Sequence, residues 1–158
     1  MLARSLLLPV GLAFLLACSE SPTEPELGPV TAGRFVAVAS GSVTGSFAGT
    51  ARIVTVGSGM TIELIAEGLP YEVLFATAAN LPAGRHDVTT LLGGGSVDAV
   101  FSASPAQADF YLGVSGQLVV TGSSADAIEA DFDFQALGEP AGTRKQVRLR
   151  GRLHATRE

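Results

Sequence analysis

From Gly33 onward, apolar and polar side chains alternate along the chain with a period of two. This period places successive side chains on opposite faces of an extended strand, whereas a helix repeats its faces every 3.6 residues. Glycine and proline interrupt the alternation at short intervals, for example at Gly57, Gly68 and Pro70. None of the connections has room for the crossover helix that parallel strands need. The pattern therefore predicts an all-β domain over 33–158, built as an antiparallel meander or Greek-key sheet.

Nine segments of this domain carry the strand pattern. They are 34–39, 42–56, 60–66, 71–78, 85–91, 96–103, 111–121, 126–137 and 145–156. Glycines inside a strand, such as Gly45 and Gly49, indicate coiling of the sheet or close approach of a neighbouring strand. The sequence predicts a curled sheet of eight or nine strands, and it leaves open whether this sheet forms a small barrel or a sandwich.

One predicted strand, 111–121, places a continuous set of small and apolar side chains inward. The inward set is Leu112, Val114, Gly116, Leu118 and Val120. Five aromatic residues elsewhere, namely Tyr71, Phe75, Phe101, Phe110 and Phe132, are predicted to fill the core. In a lipocalin-like barrel the same side chains line an apolar cavity instead.

Two predicted strands near the C-terminus carry charges on one face only. The outer side of 128–136 is acidic and the outer side of 147–155 is basic, while their other sides are apolar. A hairpin turn at 139–142 then predicts that Asp131 lies opposite Arg150. The same register pairs the remaining members of this charge ladder as Asp133 with Arg148 and Glu129 with Arg152.

The register also fixes the apolar face, where it places Phe132 on Leu149 and Phe134 on Val147. A slip by one residue would bury three charges, so the charge ladder is predicted to set the register. Each opposed pair contributes roughly 0.2–1 kcal/mol. Three acids on one face are also typical of an oxygen-rich calcium site, but three facing arginines repel a cation. The sequence therefore predicts a structural ladder and no metal.

Residues 1–17 have the parts of a secretory leader. Arg4 supplies a positive start, and 6–17 is an apolar run. As a helix this run spans roughly 18 Å, well short of a hydrocarbon core about 30 Å thick. Pro9 and Gly11 also interrupt it. A cleaved signal peptide is therefore predicted rather than a transmembrane helix.

The apolar run ends in Leu15-Leu16-Ala17-Cys18, which resembles the lipobox of bacterial lipoproteins. The resemblance implies that the Cys18 thiol is alkylated with diacylglycerol and that the chain is cut between Ala17 and Cys18. Two or three acyl chains together hold a protein firmly at a membrane. Ser19 favours the outer membrane if the source has one. An ordinary signal peptide with an incidental cysteine is the alternative.

A short linker over 18–32 joins the lipidated cysteine to the domain. It contains Pro22, Pro25 and Pro29, several glutamates and no periodicity. This composition predicts an extended tether at about 3.1 Å per residue. The tether is therefore expected to reach about 40 Å at full extension.

Four segments of the domain share strand motifs with a group of small bacterial proteins. They are Gly41–Ala51, Ser115–Thr121, Asp131–Ala136 and Val147–Leu153. Their motifs resemble those of small all-β lipoproteins of environmental bacteria. Leu153 replaces the final aromatic residue of that group, and Ala130 replaces a glycine. The resemblance implies a shared fold and lends no activity.

Composition and motifs disfavour several classes of function. The net charge of −5, with no basic patch, argues against nucleic acid as a partner. Cys18 is the only cysteine, so no intramolecular disulfide can form. The glycines at 93–95 lack the lysine and the following helix of a phosphate loop, and no Gly-x-Ser-x-Gly elbow occurs. His86 and His154 lie far apart in sequence and are predicted to be exposed.

Together these observations predict a protein secreted across the cytoplasmic membrane and anchored by lipid in the cell envelope. Its domain is expected to be a non-catalytic structural or interaction module without a cofactor other than the lipid on Cys18. An envelope protein or a glycan is the expected kind of partner. The alternatives are a binding module for a small apolar ligand or glycan and, less favoured, a hydrolase that uses His86 or His154.

Overall fold

The computed structural model describes residues 27–78, 81–90, 97–104 and 109–157. The predicted signal peptide, Cys18 and most of the predicted linker lie outside these residues. The described strands are β1 Arg34–Gly41, β2 Gly45–Val56, β3 Gly59–Ala66, β4 Glu72–Ala78, β5 Gly84–Thr89, β6 Val97–Ser102, β7 Phe110–Ser123, β8 Ala127–Gly138 and β9 Lys145–Arg157. Each lies within a few residues of a predicted strand, so the all-β prediction is confirmed.

All nine strands belong to one sheet that closes into a ring, in the order β1-β2-β3-β4-β6-β5-β7-β8-β9. The ring closes where the whole of β1 pairs with β9. This pairing runs from Arg34 opposite His154 to Gly41 opposite Val147. The end of the ring at which β1 ends and β2 begins is called the upper end here, and the opposite end the lower end. The sequence left open whether the sheet closes on itself or is split into two sheets. The structure has one closed sheet.

The chain departs from a simple meander at one place, where β5 and β6 exchange positions. Strand β7 has 14 residues, whereas β5 and β6 have 6 each. Strand β6 pairs with the upper part of β7 and β5 with the lower part. The two short strands meet in parallel only at Val88 opposite Val97 and Thr89 opposite Asp98. Sharing one long partner in this way satisfies the backbone groups along β7, and the sequence did not predict it.

Aromatic side chains fill the interior of the ring in two groups. In one group the rings of Phe75, Phe132 and Phe134 contact each other, with centroids 5.4–6.1 Å apart. The other group consists of Phe35, Phe47, Tyr71, Phe101 and Tyr111. The phenylalanines at 75, 101 and 132 are fully buried and Tyr71 is half-buried. These aromatic residues therefore pack against one another in the core.

The predicted inward set of β7 is wrong in its upper half. The pairing of β7 with β8 skips between Gly113 and Ser115, so Val114 is an extra residue in a β-bulge. A bulge changes which side chains face inward on either side of it. Tyr111 is buried as a result, and Leu112 points outward. Phe110, predicted to lie in the core, is 50% exposed for the same reason.

The predicted register of β8 and β9 is also wrong, by two residues. Asp131 lies opposite Arg152 rather than Arg150, and Phe132 lies opposite Gly151 rather than Leu149. The reason is the length of the turn. Two successive hydrogen bonds, from Gly142 N to Glu139 O (3.0 Å) and from Thr143 N to Pro140 O (3.2 Å), extend it beyond the predicted 139–142. Pairing then begins only at Lys145 opposite Gly138.

A shift of two residues leaves every side chain on its predicted face, because the side-chain period of a strand is two. The packing of the Phe132 ring against Gly151 distinguishes the observed register from the others. A Cβ atom at Gly151 would come within 2.6 Å of both the Phe132 Cε1 atom and the Val36 carbonyl oxygen. The glycine therefore provides the space that the ring needs, and any larger residue opposite Phe132 would occupy it.

We predict that Gly151→Ala lowers the free energy of unfolding by about 1–3 kcal/mol, the usual cost of overpacking a closed core. Urea denaturation followed by circular dichroism measures this change. Gly28→Ala is the matched control, since a Cβ atom there meets nothing within 4 Å. If Gly151→Ala were as stable as the control, the proposed role of the Phe132–Gly151 contact in setting the register would be wrong.

Candidate functional site

The outer face of β8 and β9 carries the charge ladder. Arg148 donates two hydrogen bonds to Asp133, from Nε to Oδ1 (2.9 Å) and from Nη2 to Oδ2 (2.7 Å). Arg152 Nε donates to Asp131 Oδ1 at 2.7 Å. The acids and arginines therefore lie on one outer face, as the alternation predicts, although their partners follow the shifted register.

The shift changes how each acidic residue finds its partner. Arg152 pairs with Asp131 directly across the strands, but Arg148 reaches Asp133 on a diagonal, because Gln135 lies opposite Arg148. Glu129 was predicted to face Arg152 and instead faces His154, whose Nδ1 atom is 3.5 Å from Oε1 of the glutamate. The ladder thus combines direct and diagonal contacts instead of the three direct pairs predicted.

These contacts stabilise the charged forms of the arginines. The pKa of Arg148 is raised, first by its hydrogen bonds to Asp133 and then by the coulombic attraction of that carboxylate. Asp131 raises the pKa of Arg152 in the same two ways. Arginine is charged at any physiological pH, so these pairs persist across that range. Among the residues that the structure describes, no group of three or more His, Cys, Asp or Glu side chains is arranged to hold a metal ion.

The chain just before β1 lies over this charged face. Gly33 N donates to His154 O at 2.8 Å and so ties the chain to the lower part of β9. Pro29 and Val30 border a cleft of about 290 Å³ that also touches Glu129 and His154. Leu27 borders a second cleft of about 270 Å³ beside Asp133 and Arg150. The segment therefore covers part of the charge ladder. A depression of about 440 Å³ remains beside Asp133 and Arg148, further up the same face.

A larger depression of about 470 Å³ opens at the lower end of the ring. Its lining is partly apolar and partly polar: Ile53, Met60, Leu81, Pro82, Ser123, Ser124, Ala125, Ile128 and Arg157. Arg157 is held at its edge by hydrogen bonds to Ala125 O (3.2 Å) and Thr55 Oγ1 (2.7 Å). The volume falls within the range of small-molecule sites, and the mixed lining suits an apolar ligand with a polar end.

The outer surface also carries a row of aliphatic side chains that sequence analysis missed. Leu74, Val100, Leu112 and Leu137 lie directly opposite one another across β4, β6, β7 and β8, and each is partly exposed. We call these four residues the apolar outer row. Phe110 lies next to the row on β7. The bulge at Val114 creates this surface, because it reverses which side chains in the upper half of β7 point outward.

The two histidines occupy different parts of the ring. His86 lies on β5 and its Nε2 atom is 2.8 Å from Pro82 O. His154 lies on β9 beside Glu129. Strands β7 and β8 separate them, so the two histidines do not lie together.

Comparisons with known proteins add no further guide to this site. No protein-family model, no curated protein and no solved structure matches the chain. In the described ranges, no helix has the length and apolar character needed to cross a bilayer.

We predict a coupling free energy of about 0.2–1 kcal/mol between Asp131 and Arg152, the range of partly exposed ion pairs. A double-mutant cycle with Asp131→Asn and Arg152→Gln measures it by urea denaturation. The coupling should fall in 1 M NaCl, because salt screens exposed charges. A cycle of Asp131→Asn with Arg144→Gln, in the β8–β9 turn, serves as the control and should show no coupling. Equal coupling in the two cycles would contradict the observed pairing.

Proposed function

We propose that this protein is a secreted lipoprotein of the bacterial cell envelope, in which a non-catalytic all-β domain is held at a membrane by lipid on Cys18. The observation that carries the proposal is the sequence Leu15-Leu16-Ala17-Cys18 at the end of an apolar run that follows Arg4. Position, charge, apolar length, small residue and cysteine agree with a lipoprotein leader. Ser19 favours the outer membrane in a source that has two membranes.

The packing of the domain supports a structural or interaction role. Large side chains fill the centre of the ring, where Phe75 and Phe101 are 0% exposed. Such a centre suits a rigid support better than a container. The polar outer face is occupied by its own ion pairs, so a partner must replace these contacts or bind elsewhere. An envelope protein or a glycan is the kind of partner that a support at a membrane surface would hold.

We predict that Cys18→Ser abolishes lipidation and releases the protein from the membrane. In a bacterial host supplied with an alkyne-labelled fatty acid, the wild type should carry the label and sediment with membranes. The variant should lack the label and leave the membrane fraction, because serine offers no thiol for the diacylglycerol. Ser21→Ala, three residues further on, is the matched control and should behave as the wild type does. A Cys18→Ser protein that still carries the label would refute the proposal.

A second candidate function is supported by the depression at the lower end. Ile53, Met60 and Ile128 give it an apolar wall, while Ser124 and Arg157 give it a polar edge. This combination suits a small amphipathic molecule with an anionic group. The domain would then be a binding module for such a ligand, displayed at the membrane by the same anchor.

We predict under this second function that laurate raises the melting temperature of the Cys18→Ser protein. A ligand at 100 times its dissociation constant stabilises a fold by about 2.7 kcal/mol, which is several degrees for a domain of this size. Ala125→Phe, in the wall of the depression, should remove the shift, whereas Thr143→Phe at the upper end should keep it. A flat response in all three proteins, or a shift that Ala125→Phe does not alter, would exclude the depression as a fatty-acid site.

A further inference from the structure

We propose that the upper end of the ring, with the apolar outer row, rests on the surface of a neutral phospholipid bilayer. The inference rests on the proposed lipid anchor and adds to it an orientation and a contact surface. It follows from three observations: where the apolar surface lies, which way the chain before β1 runs, and how far the tether reaches.

Exposed apolar side chains concentrate at the upper end. Among the described residues, four large apolar side chains are well exposed. Ile65 (38%), Leu69 (44%) and Phe110 (50%) lie at the upper end, and only Val56 lies at the lower end. Leu69 lies in the turn between β3 and β4, and Phe110 begins β7. The upper end therefore exposes more large apolar side chains than the lower end does.

The apolar outer row extends this surface down the side of the ring. Its four side chains lie on adjacent strands, so at about 4.8 Å per strand the row is roughly 14 Å wide. Below the row, Asp98 and Gln135 return the outer face to polar residues. In soluble proteins, exposed apolar patches larger than a few hundred Å² mark contacts with other proteins or with membranes.

The chain before β1 runs toward the upper end as it approaches the anchor. Pro29 and Val30 border a cleft lined by Glu129 and Asp131 of β8, whereas Leu27 borders a cleft lined by Asp131 and Asp133, further along the same strand. Because β8 runs from the lower to the upper end, the chain climbs the ring from Val30 back to Leu27.

The length of the tether lets the upper end reach the bilayer. Eight residues, 19–26, separate Cys18 from Leu27, and the nine steps of about 3.3–3.6 Å span at most about 32 Å. Five steps along β8 lead from Asp133 to the upper end at Gly138, which is roughly 17 Å. A bilayer that holds the lipid on Cys18 is therefore within reach of this end of the domain.

The chemistry of the surface favours neutral lipid as its occupant. The tether itself, over 19–26, has only prolines as apolar residues, so it offers no aliphatic or aromatic side chain to cover the row. Charges of both signs lie at the upper end: Glu72 is opposite Ile65 and two residues before Leu74, Asp109 precedes β7, and Arg144 and Lys145 lie where β9 begins. Binding to anionic lipid needs a cluster of basic residues. Burial of apolar side chains at a neutral interface needs none.

The experiment uses the full lipidated protein in phosphatidylcholine vesicles. Cys18 is the only native cysteine, and its thiol is consumed by the lipid, so an introduced cysteine is the only site for a thiol-reactive fluorophore. Leu69→Cys places the probe at the upper end, and Ser58→Cys, in the turn between β2 and β3, places it at the lower end. Circular dichroism melts confirm that both labelled proteins are folded.

We expect the probe at position 69 to shift its emission to the blue and to be quenched several-fold more by nitroxide-labelled lipid than the probe at position 58. Equal quenching of the two probes, or stronger quenching at 58, would overturn the orientation while leaving the anchor intact. Failure of both proteins to float with the vesicles would overturn the anchor and this inference with it. A blue shift at position 69 could also depend on the number of protein molecules per vesicle and be insensitive to nitroxide-labelled lipid. That result would overturn the proposed bilayer contact and indicate that a second copy of the chain covers this end.

Discussion

The closure of one sheet into a ring imposes the constraint on which the rest of this structure depends. A closed sheet has a single interior, so every strand must direct its apolar side chains to the same side and match the space that its neighbours leave. At the seam between β8 and β9 this match is made by Phe132, whose ring lies against Gly151. The glycine accommodates the ring, and the pairing of the two strands follows from that contact.

The same demand for a filled interior also shapes the outside. The bulge at Val114 lets Tyr111 enter the core beside Phe101, with ring centroids 5.7 Å apart. It also turns Leu112 and Phe110 outward, which completes the apolar outer row. A requirement of the core thus creates an apolar surface that ends at Leu137 on β8, whereas lower down the outer face of β8 and β9 is polar and carries the ion pairs.

This asymmetry fits a domain that works at an interface. Its interior is packed by aromatic side chains, so the features available for function lie on the surface, at the two ends and along the tether. The chain before β1 covers part of the charged face and leads toward the end that carries Leu69 and Phe110. An anchor at Cys18 would therefore present the polar face and the lower depression away from the membrane.

The sequence by itself determined the nine strands and the faces of β8 and β9, because these depend on local composition and on a period of two. It did not determine the pairing of Asp131 with Arg152, since registers two residues apart are equivalent in pattern. Only the tertiary structure decided that choice, through the turn after Gly138 and the space at Gly151. It likewise decided the exchange of β5 and β6 and the outward position of Phe110, because a bulge and a shared partner strand arise from contacts between distant segments.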